Sequence, residues 1–296
     1  MQRLHHGRWL AVAVLPWLIG CATFAVRPPT PAKDLPRVGL EVPPPGEHFY
    51  VMLFASQSTP IPIPRLSHSW ATVVHVKEAA DGKDQQVEYH TISWMPASLV
   101  IHPYYFHPVE PVDLKLHETI RYALGEKERV SEWGPYECIP RLYVRFLMQK
   151  RFLNSGIIGY QCTDNVGEAA RKGNACDCIH AITDMDPEYQ RSRYPLIWFG
   201  DSATRIVVAR LHEANVLIHP DETHDWLNAR LGLDQYPIVK RCDIDPGRLY
   251  YALSRLTRLM SIDSDRRTSA GGKGKDCLPA NWPIVVPGAP EGVIAR

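Results

Sequence analysis

The sequence predicts an α+β fold, a mostly antiparallel sheet packed against helices, on three observations. Apolar runs of strand length cluster between His48 and Met95, helical periods follow between Val112 and Gly156, and strand-like runs return from Arg205. Strands and helices segregated in this way favour antiparallel pairing over alternating βαβ units. No internal repeat is present.

The elements follow in order. "HFYVMLFAS" carries an unbroken apolar run from Phe49 to Ala55, the pattern of a buried strand. "TPIPIPRL" is a loop on its proline content, and Ser67 to Val76 is rich in strand formers. Asp81-Gly82 signals a turn, after which Val87 to Met95 makes the second strand of a hairpin. Leu114, Leu116, Ile120 and Leu124 share one side of a helix over Val112 to Leu124. A longer helix runs from Pro140, suited to a first turn, to Gly156, suited to the stop. "GIIGYQC", "RIVVARL" (Arg205 to Leu211) and "ANVLIHP" read as strands, "HDWLNARLGL" as a short helix and "PGRLYYALSRLTRLM" as an amphipathic one. "WMPASLVIHPYYF" (Trp94 to Phe106) reads as core and loop packing ahead of the alternative, a substrate groove.

Residues 1–21 stand apart. Arg3 and Arg8 precede an apolar run from Trp9 to Ile19, the layout of a secretory signal and too short to span a bilayer comfortably. The run closes on Leu18-Ile19-Gly20-Cys21, which resembles the bacterial lipobox. That resemblance implies lipidation of Cys21 and anchorage in a bilayer; Ala22 after it favours the outer membrane, facing the periplasm. Residues 22–47 hold seven prolines, at 28, 29, 31, 36, 43, 44 and 45, and form a semi-extended tether. One domain then covers residues 48–262, its C-terminal part an elaboration, and 263–296 is an irregular tail. With 33 basic and 32 acidic residues there is no concentrated charge to serve a nucleic-acid partner.

Chemistry concentrates in "GNACDCIHAITDM", where Cys176, Cys178 and His180 fall within five residues. Metal ligation would need a second ligand pair, and no CxxC or HxxxH accompanies the cluster, so neither a metal nor a cofactor is expected. A redox pair would want a two-residue spacer at a helix start. A nucleophile needs one thiol whose charge is favoured: Asn174 or Asp177 caps a helix starting near Cys178, whose N–H groups favour a thiolate. Cys176 is then a bystander, and His180 a packing residue or a support to the site behind the thiol. Apart from Cys21 there are six cysteines, and an exported compartment permits disulfides, so the even count equally suits three bridges.

Asp177-Cys178-Ile179-His180-Ala181 resembles the N-C-E-H-F signature of the lecithin:retinol acyltransferase family, a circularly permuted relative of papain and NlpC-type peptidases. Ser67-His68-Ser69-Trp70-Ala71 resembles the strand that carries the base in such families, and "VEYHTIS" the next strand. Asp177, Ile179 and Trp70 depart from the family's asparagine, glutamate and glycine. The resemblance, over residues 48 to 185, implies a papain-like fold with Cys178 as nucleophile, His68 as base and His90, or Glu88, as orienter. It also implies an amidase, peptidase or acyltransferase working through an acyl-enzyme on a peptidoglycan peptide, an amide or a lipid ester. The competing expectation is an envelope lipoprotein of the same fold that binds a cell-wall or protein partner, its cysteines in disulfides.

Overall fold

The computed structural model describes residues 42–78, 85–105, 107–164, 174–183, 199–244 and 292–294. The signal and Cys21, the tether up to residue 41, the helix expected over "PGRLYYALSRLTRLM", Cys277 and the tail up to residue 291 lie outside the described residues.

The fold is mixed α/β around a mainly antiparallel sheet. Strands β1 (Glu47–Gln57), β2 (Ser67–Glu78) and β3 (Gln85–Ile92) form an antiparallel meander. Short pieces β4 (Trp94–Pro96) and β5 (Pro111–Asp113) pair with each other. Strand β6 (Arg129–Glu137) pairs antiparallel with the far side of β1, and β7 (Gly159–Tyr160) pairs with β8 (Ala175–Cys176). Strands β9 (Val239–Arg241) and β10 (Gly292–Ile294) close the two edges, giving the order β10-β3-β2-β1-β6-β9 with only β6 and β9 parallel.

Helices cover both faces. Helices α2 (Pro140–Leu153), α3 (Cys178–Thr183) and α4 (Gly200–Glu213) contribute Phe146, Ala181, Ile182, Val207 and Leu211 to a core with Val51, Leu53, Ala71 and Val73. Helices α1 (Leu116–Gly125) and α5 (Trp226–Arg230) pack Ile120 and Leu227 on the opposite face, against Met52, Phe54, Trp70 and Val74. Because successive strand residues point to opposite faces and both faces are covered, β1 is apolar at every position from Phe49 to Ala55 rather than at alternate ones.

Several expectations need correcting. Arg205 to Leu211 lies within α4, not in a strand. Its Ile206-Val207-Val208 favours a strand by propensity, but Ala203, Ile206, Val207 and Leu211 share one helical face and that face is buried. "ANVLIHP" contributes only a bridge from Leu217 to Cys138. The strand expected to run through to Met95 breaks at Ser93, whose N–H donates to Asp113 Oδ1 at 2.8 Å. Asp113 is held in turn by Lys150 Nζ at 2.7 Å. "GIIGYQC" yields only β7, and the helix expected from Val112 starts at Leu116. Strand β6, which no sequence signal announced, is disguised by Gly134-Pro135. These two residues sit at a bulge opposite β1 between Val51 and Leu53, with Gly134 at φ +90°.

Candidate functional site

Cys178 is the first residue of α3, and Asp177 caps that helix: His180 N–H donates to Asp177 Oδ1 at 2.6 Å. The cap foreseen from sequence is therefore present. A second carboxylate, Asp164, fixes the cap residue by accepting from the Asp177 N–H at 2.9 Å. The His180 ring bonds Asp164 through Nδ1 at 2.8 Å and lies 3.3 Å from Asp177 Oδ2. Asp164, Asp177 and His180 are all buried. Burial alone would lower the His180 pKa, but the two carboxylates hold it well above the usual imidazole value. Burial and the neighbouring Asp164 charge raise that of Asp177. His180 is thus a central member of a buried ionic cluster at the cap of the Cys178 helix, the supporting one of the two roles expected of it. The ligand atoms of these three side chains lie within 4.8 Å of one another, the one such grouping among the described residues. Their hydrogen bonds to one another account for that proximity.

The Cys178 sulfur faces the central sheet. Strand β2 pairs with β3 only from Ala71 onward, because β3 ends at Ile92. The segment Ser67 to Trp70 therefore keeps an edge that β3 does not cover, and hydrogen bonding from the Ser69 backbone works to lower the Cys178 pKa. The Ser69 hydroxyl, on the same face, bonds Thr204 Oγ1 of α4 at 2.9 Å. Burial and the adjacent Asp177 charge nevertheless push the Cys178 thiol well above the ordinary thiol range.

The two histidines expected to serve this thiol are elsewhere. His68 precedes Ser69 in β2, so alternation sends its ring to the opposite face of the sheet, where it stacks on Trp70 at 5.5 Å. Its Nε2 shares a hydrogen bond with Ser93 Oγ at 2.9 Å, and burial lowers its pKa to about 3. His90 is on the Cys178 face but opposite Val73, five positions along β2 from His68. Its Nε2 bonds Glu88 Oε1 at 2.8 Å, and its pKa is lowered chiefly by burial. Glu88 also accepts from the Tyr143 hydroxyl at 3.4 Å. The Cys178–His68–His90 constellation is not assembled, and Glu88 orients His90 rather than His68. The physical reason is register: with Ala71 opposite Ile92, no pairing brings His68 and His90 together.

Neither cysteine alternative is assembled. Cys176 ends β8 and its thiol donates to the Asp177 carbonyl, pointing away from a shared metal or a bond to Cys178. None of the five described cysteines, Cys138, Cys162, Cys176, Cys178 and Cys242, is in a disulfide.

Beside this site sequence reasoning missed two things, Asp164 and a cleft lined by Tyr160 and Cys162. Burial raises the pKa of both the Tyr160 hydroxyl and the Cys162 thiol, that of Cys162 to about 12. Strand β7 connects the cleft to the neighbourhood of Cys178, since Tyr160 pairs with Cys176 and Gln161 N–H donates to the Cys176 carbonyl. Asp164 follows Cys162 by two residues, but no sequence period marked either.

No protein-family model, curated protein or solved structure matches this chain.

Proposed function

We propose that this protein is an envelope enzyme, lipid-anchored through Cys21, that transfers or hydrolyses an acyl group with Cys178 as nucleophile. The observation that supports it is the placing of Cys178 at the start of α3, where backbone hydrogen bonding from Ser69 favours its charged form. Such a donor favours a thiolate and, once the thiol has been acylated, is placed beside the carbonyl. The position of β2 before α3 in sequence supports a permuted papain-like order within this reading. In this reading neither His68 nor His90 takes the thiol proton, so reactivity follows the titration of Cys178 alone. The bilayer is the partner of the anchor, and the substrate class is an amide or ester.

A second reading is favoured by the burial of Cys178, 9% exposed, and by its raised pKa: a lipoprotein of the same architecture that binds a partner without catalysis. One experiment separates the two. The full chain in detergent is treated with p-nitrophenyl acetate, digested and mapped by mass spectrometry, alongside Cys178→Ser and His68→Ala. The enzyme reading expects acetylation of Cys178, loss of it in Cys178→Ser, and no change in its pH profile for His68→Ala. A Cys178 that reacts only after unfolding gives the lead to the binding reading.

A further inference from the structure

The connection from β1 to β2 carries apolar side chains into water. Every residue from Thr59 to Arg65, in "TPIPIPR", is exposed, and Ile61 is 72% exposed. Hydrogen bonds nevertheless fix its shape. Ser58 N–H donates to the Leu66 carbonyl at 3.0 Å and closes the base. The Ser58 hydroxyl donates to the Ile61 carbonyl at 2.8 Å and accepts from the Ile63 N–H at 3.0 Å. The Ile63 carbonyl accepts from the Leu66 N–H at 3.0 Å and from the Ser67 hydroxyl at 2.8 Å. Ile61 and Ile63 are therefore held outward on a braced knob.

The backbone of this knob decides what it can enter. Proline has no peptide N–H, so the five residues from Pro60 to Pro64 carry two such groups, and that of Ile63 is bonded within the loop. Unpaired peptide groups are what exclude irregular chain from lipid. A segment poor in donors, with the Ile61 and Ile63 carbonyls already occupied, loses little on leaving water, and its isoleucines gain. A protein groove that reads proline-rich chain takes it in the extended, three-residues-per-turn form. The bonds across Ser58 fold this segment back on itself instead. Charge sets no preference for anionic lipid: Gln57 at the base pairs with Arg129 of β6, and the exposed charges at this end, Arg65, Lys127 and Glu126, have both signs.

The knob follows Gln57, at the far end of β1 from Glu47, where the chain enters the sheet. Eleven strand residues span about 37 Å at about 3.4 Å each. The 20 residues between Cys21 and Val42 reach about 60 Å at about 3.1 Å each, so an anchor at Cys21 leaves this end able to face the bilayer.

We propose that the Ile61 and Ile63 knob inserts into the interfacial layer of the bilayer that holds Cys21, giving the domain a second, apolar contact with the membrane. This rests on the lipid anchor of the proposed function and does not require Cys178 to be reactive.

The test is photolabelling of the full chain in phosphatidylcholine vesicles that contain a phospholipid with a diazirine on its acyl chain, followed by digestion and mass spectrometry. The mass of the Cys21 peptide in the same digest reports the anchor. The expected result is a diacylglyceryl Cys21 together with adducts on Ile61 and Ile63. Ile61→Ser, at an exposed position, keeps the wild-type urea midpoint and lowers the adduct yield at Ile63 about tenfold or more, as loss of one buried isoleucine side chain gives. Adding phosphatidylglycerol leaves the yield nearly unchanged. A lipidated Cys21 with no adduct in the loop, adducts confined to other exposed rings such as Tyr104 or Trp226, an unchanged yield in Ile61→Ser, or labelling that needs phosphatidylglycerol overturns the proposal and leaves the anchor standing. An unlipidated Cys21 overturns the anchor and the proposal with it.

Discussion

Replacing His68 by phenylalanine should change the sign of its effect on stability as pH falls. At pH 7 the phenylalanine keeps a ring against Trp70 but leaves the Ser93 hydroxyl without its partner, a loss of about 1–3 kcal/mol. Below that pH the wild type has its own penalty. Burial lowers the His68 pKa from 6.5 to about 3, so between those values the unfolded chain carries a proton on His68 that the folded chain refuses. A depressed imidazole contributes stability that is present above 6.5 and lost as pH falls toward 3. At pH 4 the gap from the ordinary value is two and a half units, about 3 kcal/mol at roughly 1.4 kcal/mol per unit. The phenylalanine variant escapes this loss, so its deficit at pH 7 becomes parity or an advantage at pH 4. Urea unfolding of both proteins at pH 7, 5.5 and 4 reads the difference directly. A deficit independent of pH, or one that grows on acidification, refutes the reasoning. The second outcome would mean a His68 stabilised in its charged form, as a base paired to a thiolate would be.

Other outcomes follow from the same geometry. Asp164→Asn removes one carboxylate from the His180 imidazolium, leaving Asp177 at 3.3 Å, and should lower unfolding free energy by about 3–5 kcal/mol at pH 7, measured by urea titration. The raised His180 pKa gives stability that is whole below 6.5 and is lost as pH climbs through the folded value, so alkaline titration should destabilise the wild type more than this variant. Gly134→Ala places a Cβ 2.8 Å from the Tyr136 nitrogen and 2.9 Å from the Val51 oxygen at φ +90°, and should cost about 1–3 kcal/mol or more in thermal unfolding.

The meander was legible because Phe49 to Ala55 and Ser67 to Val76 carry apolar and β-branched residues over strand lengths, and Pro140 marked the start of α2. Strand β6 was not, because a glycine and a proline inside a strand ordinarily argue against one, and only the partner strand reveals that a bulge absorbs them. Segment 205–211 was misread since its local preference is for a strand, and burial against β1 and β2 decides otherwise. At the site, Asp177 as a cap and Cys178 at the helix start were legible from local chemistry. The partner of the thiol was not. A one-residue change of position along β2 moves a side chain through the sheet, and the motif placed His68 where the register places Ser69. Asp164 comes from a separate stretch of chain, and only the folded path brings it to the cap.

The halt of β3 at Ile92 has a consequence for how this architecture tolerates change. Ser93 turns away, and a stretch of β2 is left with backbone valences that a neighbouring strand would otherwise consume. A helix start occupies that vacancy instead, so the surroundings of Cys178 exist only because the ladder stops short of the four residues Ser67 to Trp70. Insertions at Ile92-Ser93 that let β3 continue would zip the notch shut and evict α3, whereas insertions beyond the exposed strand ends at Glu78 and Gln85 would pass unnoticed. The molecule's chemistry and its permissible length variation are in this sense written at opposite ends of one pair of strands.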